Sequence, residues 1–171
     1  MTAPLVTDSV DELVEAWREA RPGIDPSHLH LFGRIPRIEA QLRRRAEAWL
    51  APLGLSWDMF DLMATLLRAP DHTMRPGELS RWCLLSTGAM TKRLDRLERA
   101  GFVTRATDPA DRRALLVRLT PEGLALAERA VPVHFAAAQA ALSALSPEER
   151  RAMEALSRRL LTALEAETVP A

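Results

Sequence analysis

Residues 76–120 constrain the fold of this chain more than any other stretch. Pro76 sits at a first helical position and opens a short helix through Cys83, with Leu79, Trp82 and Cys83 as its apolar side. Leu84-Leu85-Ser86 then turns the chain into a second helix over residues 87–100. Ser86 offers a hydroxyl to that helix's first free N–H groups, and Gly101 supplies its stop. Two strand-like runs follow, residues 102–105 and 114–119, with a polar turn over 108–113 between them.

A helix, a tight turn, a second helix and a hairpin in that order predict a winged helix-turn-helix. In the second helix Met90, Leu94 and Leu97 fall at i, i+4 and i+7 and pack inward. The opposite face carries Thr87, Gly88, Thr91, Lys92, Asp95 and Arg96 beside the capping Ser86. Short hydroxyls and a glycine let a helix approach base edges closely, while lysine and arginine reach guanine or phosphate. Arg112 and Arg113 are expected at the hairpin tip, poised for a minor groove, with Asp111 orienting an arginine by a charge-assisted bond. The chain's formal net charge is zero. Between Ser86 and Arg118, however, eight basic residues face four acids, and a local basic face suffices as an electrostatic footprint for duplex DNA.

The remaining sequence reads as helix. At 171 residues, with 7 glycines and no tyrosine, the chain is expected to form one mainly α domain with a small β-hairpin wing. A short helix over residues 10–20 carries Trp17, and Asp8 or Ser9 can cap it. A long helix is expected from Pro26 to Leu50, bent at Pro36, and another over 56–68. Residues 69–75 read as a loop. Thr120-Pro121-Glu122 starts a long helix to about residue 145, with Pro132 as a second kink candidate, and Ser146-Pro147-Glu148-Glu149 starts the last one, to about 165. Neither a signal peptide nor a bilayer-length apolar run is legible, so a cytoplasmic protein without a membrane partner is expected.

Residues 76–123 resemble the MarR family of bacterial regulators. The resemblance rests on the leucine-spaced second helix, the Gly101-Phe102-Val103 exit, the Asp-Xaa-Arg wing (Asp111, Arg113) and the Leu119-Thr120 restart. It implies an obligate homodimer reading a pseudo-palindromic operator in double-stranded DNA. Residues 10–55 and 121–166 would then form a helical dimerisation platform, and residues 56–120 the DNA-binding lobe. A repressor is the family default, and no cofactor or catalytic role is implied.

Arg93 falls on the inward side of its helix and needs a carboxylate or an anion, with Asp58 or Asp61 as candidate partners and Arg105 nearby in sequence order. An ion pair holding the helix and a ligand site both satisfy that need. The extra N-terminal helix and the Gly33-Arg34-Ile35 start are similar to the urate-responsive branch of the family. That likeness implies a small anionic or aromatic effector contacting Trp17, Asp61, Arg93 and Arg105, which would break a tie to Asp61. Rival readings are a redox switch at Cys83, weighed against a buried structural thiol, a metal held through His28-Xaa-His30, and a winged-helix protein-interaction module. An enzyme finds no support in a phosphate-cradling loop, a paired-carboxylate cleft or an activated nucleophile.

Overall fold

A computed structural model of the protein describes residues 7–109 and 111–166, with the side chain of residue 112 left out. The chain divides into two compact units between Asp58 and Met59. In the first, α1 (Ser9–Ala20) begins at a reciprocal cap. The Asp8 carboxylate accepts the N–H groups of Val10 and Asp11 at 2.8 and 3.3 Å, and the Asp11 carboxylate accepts that of Asp8 at 3.0 Å. Arg34 fastens this end of α1 to the next helices. Its guanidinium donates to Asp8 at 2.9 Å, to Asp11 at 2.7 Å and to the His30 carbonyl at 2.8 Å.

The long helix expected from Pro26 is two helices, α2 (Leu29–Phe32) and α3 (Arg34–Leu50). The cause is Pro36, which lacks the N–H that Phe32 would have received and whose ring crowds that carbonyl. The break falls at Gly33, where a Cβ would lie 2.6 Å from the Leu29 carbonyl oxygen and 2.9 Å from Val10. Pro36 thus stands in the first turn of α3 instead of bending a continuous helix.

The second unit holds α4 (Trp57–Leu67, which begins just before the division), β1 (Thr73–Met74), α5 (Pro76–Trp82) and α6 (Thr87–Arg99). Then come β2 (Val103–Asp108), β3 (Asp111–Leu119), α7 (Pro121–Ala141) and α8 (Pro147–Ala166). Residues 69–75 are not simply a loop. Thr73 and Met74 pair with Arg118 and Val117, which makes β1 the third strand of an antiparallel sheet ordered β1-β3-β2. The hairpin strands also run further than expected, so the turn shortens to the link between Asp108 and Asp111. Leu62, Met63 and Leu66 of α4, Leu79 of α5, and Val103 and Val117 of the sheet are fully buried and form this unit's core with α6.

α7 runs unbroken through Pro132. Its start is locked to the wing's root: the Thr120 N–H donates to the Phe102 carbonyl at 3.0 Å. The Thr120 hydroxyl donates to Gly101 O at 2.7 Å and accepts the Gly123 N–H at 3.0 Å. Backbone meets backbone here, because a Cβ on Gly123 would sit 2.0 Å from the Phe102 carbonyl oxygen. α8 buries none of its residues within this chain, and Met153, Leu156, Leu161 and Leu164 stay exposed. Among the described residues no single helix is long and apolar enough to cross a membrane.

Of the described glycines, Gly123 is the one where an added Cβ would meet backbone most closely, so Gly123→Ala is expected to cost about 1–3 kcal/mol. A lower urea midpoint at unchanged slope checks this, and an unchanged midpoint contradicts it.

Candidate nucleic-acid interface

The site is built on α6. Ser86 caps it by accepting the Ala89 N–H at 3.3 Å. Its far end closes through Gly101, at φ +78°, with the Gly101 N–H on Glu98 O at 2.9 Å and the Phe102 N–H on Leu97 O at 3.0 Å. Leu84 tightens the turn before it by adopting φ +52°, which is uncommon for a bulky residue. Met90, Leu94 and Leu97 are no more than 2% exposed. That burial fixes the helix's rotation and leaves Ser86, Thr87, Gly88, Thr91, Lys92 and Arg96 all exposed, as the periodicity predicts. Asp95, read from sequence as part of the same face, is instead half-buried and engaged by the wing.

The wing meets α6 through Arg105. Its guanidinium donates to Glu98 at 2.5 Å and to Asp95 at 2.5 Å. Arg105, with Asp95 opposing, holds the Glu98 carboxyl below the usual range, so this pairing is kept at neutral pH and lost as acid protonates Glu98. The expected tie of Arg105 to Asp61 is thus corrected: a strand residue reaches the acids of the helix packed against it. Arg113 is exposed at the start of β3, close to the tip rather than in the turn. Asp111 accepts the backbone N–H of Arg113 at 3.1 Å, so it orients the chain at Arg113. Arg112 belongs to β3 by its backbone, and its side chain lies outside the described residues. Sequence reasoning missed Arg75, whose Nη2 lies 2.6 Å from Asp108 Oδ2.

Asp61 of α4 and Arg93 of α6 are both half-buried, and their charges act in opposite directions on the Cys83 thiol, Asp61 raising its pKa and Arg93 lowering it. Asp58, the rival for Asp61, is engaged by Arg43 at 2.5 Å. The Cys83 thiol donates to the Thr65 hydroxyl at 3.7 Å. Burial first, and the Asp61 charge second, push its pKa up to about 11. Trp82, expected on the apolar side of α5, is 55% exposed, with the Arg68 guanidinium 4.5 Å over its ring. Trp17 stands on α1, in the first unit, and is 43% exposed. His28 contacts Phe32 edge-on at 6.0 Å, and His30 lies 3.6 Å from Asp11. Among the described residues no group of three or more metal-ligating side chains comes together.

A capped helix with one exposed polar, basic face, followed by the arginine-bearing hairpin of a three-stranded sheet, defines a winged helix-turn-helix protein. The MarR family model matches residues 55–115. The transcriptional regulator PecS of Dickeya dadantii is 34% identical over 149 residues, spanning 86% of this chain and 89% of that protein. A mutant MarR from Escherichia coli complexed with operator DNA superposes with a TM-score of 0.72 at 27% identity, covering 85% of this chain and 97% of that one. A MarR family protein of Mycobacterium tuberculosis complexed with p-aminosalicylic acid gives 0.59 at 32% identity, covering 76% and 97%. This chain belongs to the MarR family of transcriptional regulators.

A thiol pKa near 11, against 9.0 for an unperturbed group, leaves about a hundredfold less thiolate at pH 8. Iodoacetamide at pH 8 is therefore expected to alkylate Cys83 about a hundredfold more slowly in the native protein than in the urea-unfolded chain. Equal rates contradict the raised pKa.

Proposed function

We propose that this regulator acts in the cytoplasm as a homodimer that grips a pseudo-palindromic operator and represses transcription until a small anionic or aromatic effector releases it. One observation carries the DNA reading. The burial of Met90, Leu94 and Leu97 leaves hydroxyls, Gly88, Lys92 and Arg96 together on the opposite face of α6, and Arg113 is exposed on the hairpin that follows. In that arrangement α6 enters a major groove, while the wing brings Arg113, and Arg112 by sequence, to the adjacent minor groove. The complex of E. coli MarR with operator DNA supports the same use of the fold. The function is binding, and no residue is assigned a catalytic part.

The dimer follows from apolar surface with no cover in the single chain. A 20-residue helix with every residue at least partly exposed, carrying Met153, Leu156, Leu161 and Leu164, does not hold that face to water in a stable protein. A second copy of the chain supplies the cover, with residues 10–55 and 121–166 as the platform. The effector reading rests on Asp61 of α4 and Arg93 of the recognition helix α6. An anion with higher affinity for Arg93 in the released state shifts the helix out of register with DNA. Trp17 and Arg105 enter this reading through the family resemblance. The p-aminosalicylic acid complex of the M. tuberculosis relative supports an aromatic anion as the chemical class.

A duplex selected by the protein from a random pool provides the test. Binding is expected to fall with salt, with a slope in log K of about −0.9 for each phosphate neutralised. Arg113→Ala is expected to weaken binding about tenfold or more and to make the salt slope shallower. A salt-independent complex, or one indifferent to Arg113, contradicts the reading. Leu161→Glu in α8 is expected to raise the dimer dissociation constant at least about tenfold by sedimentation, because a charge then enters the covered face of each copy.

A further inference from the structure

β2 changes its facing before it ends. Val103 and Arg105 point inward while Thr104 and Ala106 point out, so strict alternation sends Thr107 inward and leaves Asp108 in solvent. The burial is the reverse, with Thr107 exposed and Asp108 only 8% exposed. The reversal coincides with an irregularity of register between Thr107 and Asp108. The partner jumps from Leu115 to Asp111 over this one step of β2, so the extra residues lie on β3, and where regular pairing lapses in this way a side chain can be aimed as the pleat alone would not aim it.

The re-aimed carboxylate meets Arg75 at 2.6 Å. Arg75 is itself fixed from two sides. Met74, the residue before it, is paired with Val117 in the sheet, and Pro76 after it confines Arg75 to extended backbone, found at φ −74° and ψ 145°. A largely buried carboxylate is costly to the fold unless paired, and near a hairpin that approaches phosphates its charge has the wrong sign for binding DNA. Its placement has a use if it holds the hairpin. The middle of the same strand is held by Arg105 on Asp95 and Glu98, so β2 is fastened at two points, to α6 and to the start of α5.

We propose that Asp108 and Arg75 are positioning residues for the wing: their ion pair anchors the end of β2 to the start of α5 and thereby holds Arg113 where it enters the groove. Asp108 strengthens DNA binding although it carries the same charge as DNA. This rests on the reading of the wing as a DNA contact.

The sign of one substitution tests the proposal. Removing an acid from a DNA-facing lobe by electrostatics alone tightens binding, whereas removing a brace weakens it. With the selected duplex at fixed salt, Asp108→Asn is expected to weaken binding about tenfold, the loss of a preorganised contact. Arg75→Gln, a change at a half-exposed side chain that leaves Asp108 in place, is expected to do the same, and the two together no more than either alone. In an Arg113→Ala background Asp108→Asn is expected to change affinity less than about twofold, because the braced contact is already gone. Unchanged or tighter binding by Asp108→Asn overturns the proposal, as does a penalty that persists undiminished without Arg113. If Arg113→Ala itself has no effect while wild type binds the duplex, the reading of the wing fails, and the brace with it.

Discussion

The packing of Met90, Leu94 and Leu97 sets everything that this lobe can do. Three apolar side chains on one face of α6, each essentially removed from water, are worth about 1.5–3 kcal/mol apiece. Rotating the helix by one residue would carry Lys92 or Arg96 toward the core at the cost of an unpaired charge. The exposed face is therefore dictated by the buried one. Ser86 and Gly101 then fix where the helix starts and stops, which decides which residues stand in its exposed first turn.

The wing depends on that helix in turn. Its root is joined to α7 by backbone contacts that only glycine permits at position 123, and its first strand is tied to α6 through Arg105. These ion pairs are partly exposed, so their contribution to global stability is modest and screened by salt. Their value is geometric. A flexible hairpin loses rotamer and backbone freedom when it enters a groove, and one already held against α5 and α6 loses less. Arg75, which lies outside the basic segment, balances Asp108, whereas Arg105 alone is shared by Asp95 and Glu98, so those two acids are engaged without both being neutralised.

The sequence was most legible where a local rule acts alone. The 3.6-residue period, the Ser86 cap, the Gly101 stop and the Thr120-Pro121 start each lie within a few residues of what they control, and each is found in place. Elements set by distant partners were not legible. β1 is two residues long and exists because β3 offers it an edge. The pairing of Arg75 with Asp108 joins residues 33 apart, through a bulge that no periodicity announces. Neither acid offered for Arg105, Asp58 or Asp61, is its partner, because sequence order hides that a strand residue faces Asp95 and Glu98 of α6. Pro36 was recognised as a disturbance, but its effect falls upstream, at Gly33, since proline disrupts the turn before it. Arg93, placed on the inward side of its helix by the period, is half-buried, and burial together with the Asp61 charge holds the Cys83 thiol in a setting that suppresses thiolate chemistry.

In the proposed function the apolar surface of α8 brings two copies together, and the polar face of α6, doubled by symmetry, reads two half-sites spaced by about a helical turn. The most direct test inserts about five base pairs, half a turn of B-DNA, between the half-sites of a selected duplex. Two recognition helices held in one dimer cannot both follow a half-site moved to the opposite side of the duplex, so affinity is expected to fall toward that for unrelated DNA. Equal affinity for the original and the expanded duplex would contradict the account.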